Sequence, residues 1–414
     1  MGMTMAEKIL ANKSGRDHVK VGDIVVCKVD WAVTGDLGFG KGRPEVVKVW
    51  DPDRIVVVAD HTAPAPNVES ADDMVRMRQF INEFQIPHHF DIGDQGISHV
   101  LLGEHGFALP GGLIANGDSH SCASGAFNCA SRGLGGPEMT YVLCTGETWF
   151  IVYPTVRFVL EGSLGKFVTS RDVLHHIAGV YGDFSNHNVE YVGSYVSGIS
   201  VASRQTIATM SAELSAEFAL FESDHVLEEY LQGRAKAQIE PVVSDDDAEF
   251  EAIYEIDVTG LAPQIALPGK VPNNVQSIDD LESTKIDQAF IGSCANGRLE
   301  DFAIAAEILK GNKVAPGVRL IVTPGSQNVY KEALKAGYVE TLMEANAVVT
   351  NSTCGACYGG HMGVLGSGEV CITASTRNFQ GRMGSATAQV YLGSPATVAA
   401  SAIAGVIADP RDHI

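Results

Sequence analysis

The part of this sequence that most restricts what the chain can fold into lies between Asn351 and Arg382. Cys354 and Cys357 are three positions apart among glycines, so two thiolates can bind one soft metal centre. Arg377 and Arg382 flank a short loop, and a guanidinium there can hold a carboxylate or phosphate through its planar fork of donors. The fold therefore has to bring a soft-metal site next to an anion clamp, which predicts chemistry on a small acid.

Charge and length exclude several classes of protein. The formal net charge of −21 over 414 residues argues against nucleic-acid binding, which requires a basic face. No apolar run reaches the length of a membrane span, so we expect no membrane association. A hydrophobic content of 45% and 44 glycines fit a loop-rich α/β protein. The length predicts about two to four domains.

The N-terminus and the cysteines bear on the cellular compartment. The opening MGMTMAEKIL has neither the apolar core of a signal peptide nor a basic amphipathic presequence. Eight cysteines in a long chain without secretion features indicate reduced thiols, for which metal binding is commoner than disulfide formation. We therefore expect a cytoplasmic protein.

Polar or reactive residues repeatedly follow short β-branched runs. The runs and the residues after them are Arg54–Ala59 before Asp60 and His61, Leu113–Ala115 before Gly117–His120, Ile286–Ile291 before Ser293–Asn296, Val318–Val322 before Pro324–Ser326, Ala347–Thr350 before Cys354, and Val370–Ala374 before Arg377. Ligands of open α/β sheets lie beyond the carboxyl ends of the strands. The pattern therefore predicts strands that alternate with helices in several layers, with a site at the strand ends.

The predicted boundaries give three α/β subdomains, at residues 1–153, 154–284 and 285–414. The passage Gly260–Gln276, rich in Pro, Gly and Asn, is interpreted as a linker within the second. The stretch 206–221, TIATMSAELSAEFALF, is interpreted as helical. Helices are also predicted at Glu300–Lys310 and Pro395–Ala408.

A third cysteine changes the interpretation of the CxxC pair. Alone, Cys354 and Cys357 fit half of a structural zinc site, a redox pair or another metal centre. Cys294 follows a buried-looking strand in a glycine-containing loop, and three cysteines suit an iron–sulfur cluster with one iron left open as a Lewis acid. Cys27 and Cys371 lie in apolar runs and are assigned to the core. The remaining cysteines receive no role.

Candidate acid–base groups stand at two predicted strand ends. Asp60 and His61 pair a carboxylate with an imidazole, although an isolated dipeptide of this kind is more often a surface feature. The run Asp118-Ser119-His120 combines an acid, a hydroxyl and an imidazole near a helix start. By themselves His99 and Glu213 would be taken for a core histidine and a helix-surface carboxylate. Ser326 after Gly325 either binds an anion through backbone N–H groups or forms a turn.

Four ordered motifs resemble the signatures of the aconitase superfamily, within the branch of 3-isopropylmalate dehydratase and homoaconitase large subunits. They are GDSH at 117–120, GSCANGR at 292–298, CGACYGGHMG at 354–363 and RNFQGR at 377–382. The resemblance covers nearly the whole chain. It implies an aconitase-like fold of three α/β/α subdomains around a [4Fe–4S] cluster held by Cys294, Cys354 and Cys357.

The resemblance also implies roles for the matching positions. It assigns protonation of the departing hydroxyl to Asp60 and His61. It places two pairs, His99 with Asp118 and His120 with Glu213, around the iron-bound water. It assigns substrate binding to Ser119, Arg377 and Arg382. In the family, the serine base belongs to a swivelling domain, which is a separate small protein in two-subunit members. The resemblance therefore implies a small partner subunit and a hydro-lyase of leucine biosynthesis that acts on a substituted malate.

Three hypotheses follow from these residues. The first is a cluster-dependent dehydratase acting on 3-isopropylmalate, homocitrate or homoaconitate, dimethylmalate, citraconate or maleate. The second is a divergent cluster-binding sensor without turnover, because Thr209, Ala295 and Thr376 replace residues usual in the family, as Ser121 also does. The third is a structural-zinc protein with a coincidental anion site. The retained acid–base residues favour the first.

Overall fold

The computed structural model describes residues 2–413, in which three mainly parallel sheets are covered by helices. A separate two-stranded antiparallel ribbon lies beside the first sheet. This arrangement confirms the α/β class that the alternating pattern predicts. Among residues 2–413, no helix is both long enough and apolar enough to cross a bilayer.

The N-terminal part forms the first sheet and the ribbon. Its elements in chain order are α1 (Met5–Ser14), β1 (Ile24–Lys28), β2 (Trp31–Gly35), β3 (Ile55–Val58), α2 (Val68–Phe84), β4 (His88–Phe90), α3 (Ser98–Glu104), β5 (Leu113–Asn116), β6 (Ala130–Gly133), α4 (Gly136–Thr145) and β7 (Glu147–Ile151). The sheet has the order β4-β3-β2-β5-β6 and all its pairs are parallel. All four residues of β3 are buried, as expected for a parallel strand covered on both faces.

The middle part forms a four-stranded parallel sheet in the order β10-β9-β8-β11. Its elements are β8 (Thr155–Glu161), α5 (Ser170–Tyr181), β9 (Asn188–Val192), α6 (Ser194–Gly198), α7 (Val201–Ser211), β10 (Ala219–Phe221), α8 (His225–Leu231) and β11 (Ala252–Asp257). The buried carboxylate of Glu190, in β9, accepts a hydrogen bond from the Met5 backbone N–H at 2.9 Å. This contact attaches α1 to the second sheet.

The C-terminal part forms a seven-stranded sheet in the order β13-β12-β18-β17-β14-β15-β16. Its elements are β12 (Gln264–Ala266), β13 (Val275–Ser277), β14 (Gln288–Ile291), α9 (Leu299–Leu309), β15 (Arg319–Val322), α10 (Gln327–Lys335), α11 (Tyr338–Glu344), β16 (Val348–Val349), β17 (Val370–Thr373), β18 (Gln389–Leu392) and α12 (Pro395–Ala404). Only the pairs of β12 are antiparallel, at one edge. The rest of the sheet is parallel.

The first and the third sheet each contain a topological switch point, at which the order of the strands along the chain reverses. In the first sheet the chain order reverses between β2 and β5, and in the third sheet between β14 and β17. Loops that leave the carboxyl ends of strands on either side of such a point diverge and leave a crevice. Of the residues singled out from the sequence, Asp118 follows β5, Cys294 follows β14 and Arg377 follows β17, at these points. Asp60, Ser326 and Cys354 follow the other strands β3, β15 and β16.

Two interpretations of the middle sequence need correction. The stretch 206–221 is helical only through Ser211, passes through a 3-10 turn at Ala212–Leu214 and ends in β10, because Ala219–Phe221 pairs with β9. The proposed linker Gly260–Gln276 contains β12 and most of β13, which belong to the third sheet. The chain therefore passes from the second sheet to the third between Asp257 and Gln264. The other strand and helix predictions are confirmed to within a few residues.

An aromatic cluster fills the core of the second sheet. Phe158 is fully buried, and its ring centroid lies 5.3–5.8 Å from those of Tyr181, Phe184, Tyr191 and Tyr254. Ring pairs in edge or stacked contact contribute beyond the area that they bury. Phe158 is therefore the centre of this part of the core.

We predict that Phe158→Ala lowers the free energy of unfolding by about 3–5 kcal/mol, because it removes a buried ring and leaves a cavity. Urea titration followed by circular dichroism measures the change. Tyr141→Ala is the control, since Tyr141 is 51% exposed and its loss should cost no more than about 0.5 kcal/mol. Equal effects of the two substitutions would contradict the assignment of Phe158 to the core.

Candidate active site

Asp60 and His61 follow β3 directly and form a hydrogen-bonded pair. The Nδ1 atom of His61 lies 2.7 Å from Oδ1 of Asp60, whose side chain is buried. Burial acts to lower the pKa of His61, but the neighbouring Cys354 and Asp60 groups outweigh it and hold that pKa well above its ordinary value. The ring therefore takes up a proton more readily than a free imidazole does.

Asp36 is a site residue that the sequence analysis missed. Its fully buried carboxylate follows β2 and accepts hydrogen bonds from the Thr62 backbone N–H at 2.5 Å and the Thr62 hydroxyl at 2.6 Å. Its two oxygens also lie 3.2 and 3.3 Å from the His61 backbone nitrogen. Burial and the nearby Asp60 charge raise the pKa of Asp36 to about 6. The rule that found Asp60, a carboxylate just after a strand, applies equally to Asp36.

Asp118 joins three histidines into one network. Its Oδ1 lies 2.8 Å from Nε2 of His99 and accepts the backbone N–H of His120 at 2.8 Å. Its Oδ2 lies 3.6 Å from Nε2 of His61. Burial acts to raise the pKa of Asp118, but hydrogen bonds and charge from His120 and His99 keep it well below its ordinary value. Asp118 is therefore an ionised acceptor at neutral pH.

Glu213 connects this network to the arginine loop. Its Oε1 lies 2.9 Å from Nε2 of His120 and accepts a hydrogen bond from Nε of Arg377 at 2.7 Å. Nη1 of Arg377 also donates to the Ser119 hydroxyl at 3.0 Å. Burial acts to raise the pKa of Glu213, but His120 and Arg377 outweigh it and lower that pKa. The two motifs GDSH and RNFQGR, distant in sequence, thus meet through Glu213.

The three predicted ligand thiols are buried near this network. Cys294, Cys354 and Cys357 are 3–7% exposed and free. Cys354 donates its backbone N–H to the Asp60 carbonyl at 2.9 Å, which joins the third sheet to the first. Burial raises the pKa of Cys354 to about 12. For Cys357, burial acts in the same direction, but Arg382, whose Nη2 lies 3.7 Å from its Sγ, contributes to lowering the pKa.

The spacing of the thiols separates two kinds of metal site. Among the described residues, only the group Asp36, Asp60 and His61 has three ligand atoms within 4.8 Å of one another, so the three Sγ atoms are not gathered this closely. Thiolates on one zinc ion at about 2.3 Å would lie about 3.8 Å apart. The three thiols therefore do not make up a preformed site for a single ion.

Unpartnered polar atoms also indicate that the site accepts a further group. Nδ1 of His99, the Tyr358 hydroxyl and the Thr209 hydroxyl are buried without a hydrogen-bond partner. Gly359, with φ of +76°, ends the turn after Cys357, and a Cβ there would lie 2.7 Å from the Arg382 carbonyl oxygen. The turn is therefore shaped for glycine, and the buried polar atoms suit an occupied site.

Ser326 is not brought to this site. It is fully buried, its hydroxyl donates to Glu104 Oε1 at 2.7 Å and accepts from the Val329 N–H at 3.1 Å. It therefore caps α10 and connects it to α3. The hydroxyl is satisfied within the protein, so we leave Ser326 out of the proposed site.

The positions that depart from the usual family pattern are all buried. The Thr376 hydroxyl lies 3.7 Å from the Cys357 Sγ, and the Ala295 carbonyl accepts the Thr206 hydroxyl at 2.9 Å. Thr209 has no hydrogen-bond partner for its hydroxyl. These substitutions leave the contacts among the acid–base residues in place.

A cavity of about 550 Å³ opens beside Asp60, His61 and Asp118. Its far wall is the glycine-containing loop at residues 35–46 together with α2 and α4. A cavity of this size holds a small molecule. The acid–base residues therefore stand at the edge of a space that a small substrate can enter.

Comparison with known proteins agrees with this geometry. The aconitase family (aconitate hydratase) matches residues 45–405. The chain belongs to the aconitase family. Over 411 residues it is 51% identical to the 3-isopropylmalate dehydratase large subunit of Mycolicibacterium smegmatis, covering 99% of this chain and 97% of the relative. It is 42% identical to the protein of the same name from Caldanaerobacter subterraneus, with 100% of both chains covered.

Membership of the aconitase family confirms the predicted resemblance, the aconitase-like α/β fold and the hydro-lyase class. Iron–sulfur clusters are the cofactor for which this family is known. Among solved structures, the holo-form of Thermococcus kodakaraensis aconitase X is similar at a TM-score of 0.47 and 12% identity, over 85% of this chain and 84% of that one.

We predict that Asp118→Asn lowers the free energy of unfolding by about 2 kcal/mol, because it removes the charge that accepts hydrogen bonds from His99 and His120. Chemical unfolding at neutral pH measures the loss. Asp17→Asn is the control, because Asp17 is exposed. A loss no larger than that of the control would show that the Asp118 network does not stabilise the fold.

Proposed function

We propose that this chain is the large, catalytic subunit of a [4Fe–4S]-dependent hydro-lyase that dehydrates and rehydrates 3-isopropylmalate or a closely similar substituted malate. The observation that carries the proposal is the convergence of paired acid–base residues, two arginines and three buried thiols at the carboxyl ends of two sheets. The names of the relatives, 3-isopropylmalate dehydratase large subunit, support the substrate class.

We assign the cluster to Cys294, Cys354 and Cys357. Three thiolates leave one iron free, and the bound cluster would supply a Lewis acid that activates a hydroxyl group for departure. The residues around the thiols then decide which protons move and how the substrate is held.

His61 is the proposed proton donor to the departing hydroxyl. Hydroxide is a poor leaving group, so protonation as the bond breaks lowers the barrier. The Asp60 carboxylate at 2.7 Å holds the imidazole in one orientation and stabilises its charge. Asp36, which follows the neighbouring strand β2, accepts the backbone N–H groups of His61 and Thr62 and so fixes the position of His61.

The other two pairs fix the orientation of two further imidazoles at the site. His99 with Asp118, and His120 with Glu213, each place an imidazole nitrogen within 2.9 Å of a carboxylate oxygen. A carboxylate on one ring nitrogen sets the tautomer of each imidazole. Nδ1 of His99 is left without a partner in the protein and can position a water or hydroxyl, whereas Nδ1 of His120 lies 3.5 Å from Oδ1 of Asp118.

Arg377 and Arg382 bind the substrate carboxylates in this proposal, and Ser119 assists. Loss of the carbon-bound proton next to a carboxylate puts negative charge on that carboxylate, and a guanidinium stabilises it. Arg377 is already held by Glu213 and Ser119, so its fork has a fixed direction before substrate arrives. The acidic surface is no obstacle, because local charges set the field within a cleft.

The carbon-bound proton is removed by a residue of a small partner subunit, which also completes the substrate pocket. The word "large" in the names of the relatives supports such a partner. We therefore place the chain in a heteromer of leucine biosynthesis. The cytoplasmic location stays a prediction, supported by cysteines that are all free.

The proposal is tested by producing the chain together with a small subunit of a 3-isopropylmalate dehydratase, without air, and supplying 3-isopropylmalate. Hydration and dehydration are followed by the absorbance of the unsaturated acid. Homocitrate, dimethylmalate, citraconate and maleate are run in parallel. Turnover of another acid alone would replace the substrate, whereas iron binding without any turnover would favour a sensor.

We predict that His61→Asn lowers kcat by about 10²–10⁴-fold, because the proton donor is lost. Iron content should remain that of the wild type, since His61 is not a proposed ligand. Steady-state kinetics and iron per chain are the measurements. His18→Asn, at an exposed position, is the matched control and should leave kcat unchanged.

We predict that Cys357→Ser abolishes retention of the cluster, because serine does not replace a thiolate ligand of iron. Iron and sulfide analysis with visible absorption after anaerobic reconstitution are the measurements. Cys144→Ser is the control, because Cys144 is half-buried on α4, outside the proposed site. Protein with zinc and without iron would end the cluster assignment.

A further inference from the structure

Three arginines of the chain are buried charges of different kinds. Arg171 and Arg204 are 0% exposed and Arg298 is 5% exposed. Arg204 forms a two-pronged ion pair with Asp224, at 2.9 and 2.6 Å. In the described chain, neither Arg171 nor Arg298 has a carboxylate oxygen within the 4.0 Å of an ion pair. A buried charge without a counter-charge is costly, so these two need an explanation.

Arg171 reaches from α5 of the second sheet into the third. Its Nη1 donates to the Asn296 side-chain oxygen at 2.8 Å and to the Ala374 carbonyl at 2.7 Å, and its Nη2 donates to the Ser375 carbonyl. Asn296 is two residues from Cys294, and Ser375 is two residues from Arg377. One guanidinium therefore supports the loop of a ligand thiol and the loop of a substrate arginine.

Arg298 supports the same thiol from its own loop. Its Nη2 donates to the Cys294 carbonyl at 2.7 Å and its Nη1 to the Ala295 carbonyl at 2.5 Å. Its Nε donates to the Gln205 side-chain oxygen at 2.9 Å. All these acceptors are neutral. The N–H donors of Arg298 are therefore hydrogen-bonded, but its positive charge has no negative group in contact.

The nearest acids do not neutralise these guanidiniums fully. Burial raises the pKa of Asp301 to about 7 and that of Asp172 to about 6. Asp301 accepts the Asn296 side-chain amide and the Arg298 backbone N–H, whereas Asp172 accepts the Gln264 backbone N–H. Neither carboxylate lies in contact with a guanidinium.

Ligand thiolates would add negative charge near Arg171 to that of the two acids. Burial lowers the pKa of Arg171 to about 10, which leaves it protonated at neutral pH. Asp172 and Asp301, and after them the ionised thiols of Cys357 and Cys294, act against that lowering of the pKa, so the two sulfurs as well as the two acids are within electrostatic reach of the guanidinium. Cysteine binds metals as thiolate, so the negative charge enters the site with the metal.

We propose that Arg171, assisted by Arg298, is a positioning residue that provides the buried counter-charge for the ligand thiolates and thereby retains the cluster. The inference rests on the proposed function, because it presupposes the three-thiolate cluster. Charge and hydrogen bonds behind the ligands tune metal affinity and reduction potential. Arg171 is absent from the four motifs, so only the fold reveals it.

The test compares Arg171→Gln, which keeps a hydrogen-bond donor but no charge, with Arg171→Lys, which keeps the charge but loses the fork. Each variant is made with the small subunit and reconstituted without air. The rate of iron release to a chelator and the reduction potential of the cluster are measured. Arg204→Gln is the control, because it removes an equally buried charge that has its own carboxylate partner.

We expect Arg171→Gln to release iron about 10–100-fold faster than wild type. Its potential should be more negative, because a positive charge that favours electron uptake is removed. Arg171→Lys should remain close to wild type, and so should Arg204→Gln in folded protein judged by circular dichroism. If Arg171→Gln does not fold, Arg298→Gln is measured in the same way and decides the outcome.

Two results would overturn the inference alone. If Arg171→Gln retains iron and has the reduction potential of the wild type, no counter-charge is needed. If Arg171→Lys loses iron as fast as Arg171→Gln, the forked hydrogen bonds of the guanidinium retain the cluster and its charge does not. A wild-type protein that binds no iron after reconstitution would overturn the proposed function and this inference together.

Discussion

The enclosure of three cysteine sulfurs in a dry pocket is the constraint on which the rest of this structure depends. Burial disfavours ionised thiols, as the pKa of about 12 for Cys354 shows, whereas metal ligation requires them ionised. The protein offsets the cost of buried thiolates with positively charged groups around the three cysteines. Arg382 contacts the Cys357 sulfur, and Arg171 and Arg298 bind the loop around Cys294.

The same pocket explains why three sheets form one site. The Cys354 backbone N–H donates to the Asp60 carbonyl, so the loop that carries Cys354 in the third sheet is attached to the loop that carries Asp60 and His61 in the first. Glu213, supplied by the second sheet's part of the chain, contacts His120 and Arg377 at once. Because catalysis depends on geometry held to fractions of an ångström, such cross-contacts matter more than any single residue.

Much of the site could be predicted because the ends of buried strands can be recognised in the sequence. A buried β-branched run followed by an acid, a histidine or a cysteine marks a residue at the ligand-facing edge of a sheet. This rule found Asp60, Asp118 and Cys294. It missed Asp36 because the run before it, which forms β2, was not recognised as a strand. Ser326 satisfied the same rule yet caps α10, since a hydroxyl after a strand serves equally well as a helix cap.

By itself, the sequence determined the fold class, the order of the motifs and the family, because local hydrophobic patterns and short motifs are written in neighbouring residues. Only the tertiary structure decided that β12 and β13 join the third sheet, that Glu213 in the 3-10 turn after α7 contacts Arg377, and that Arg171 is buried without an acid in contact with it. Each of these depends on a partner more than 90 residues away. Such pairings follow from how the sheets pack together and from where charge is left unbalanced, which no local pattern records.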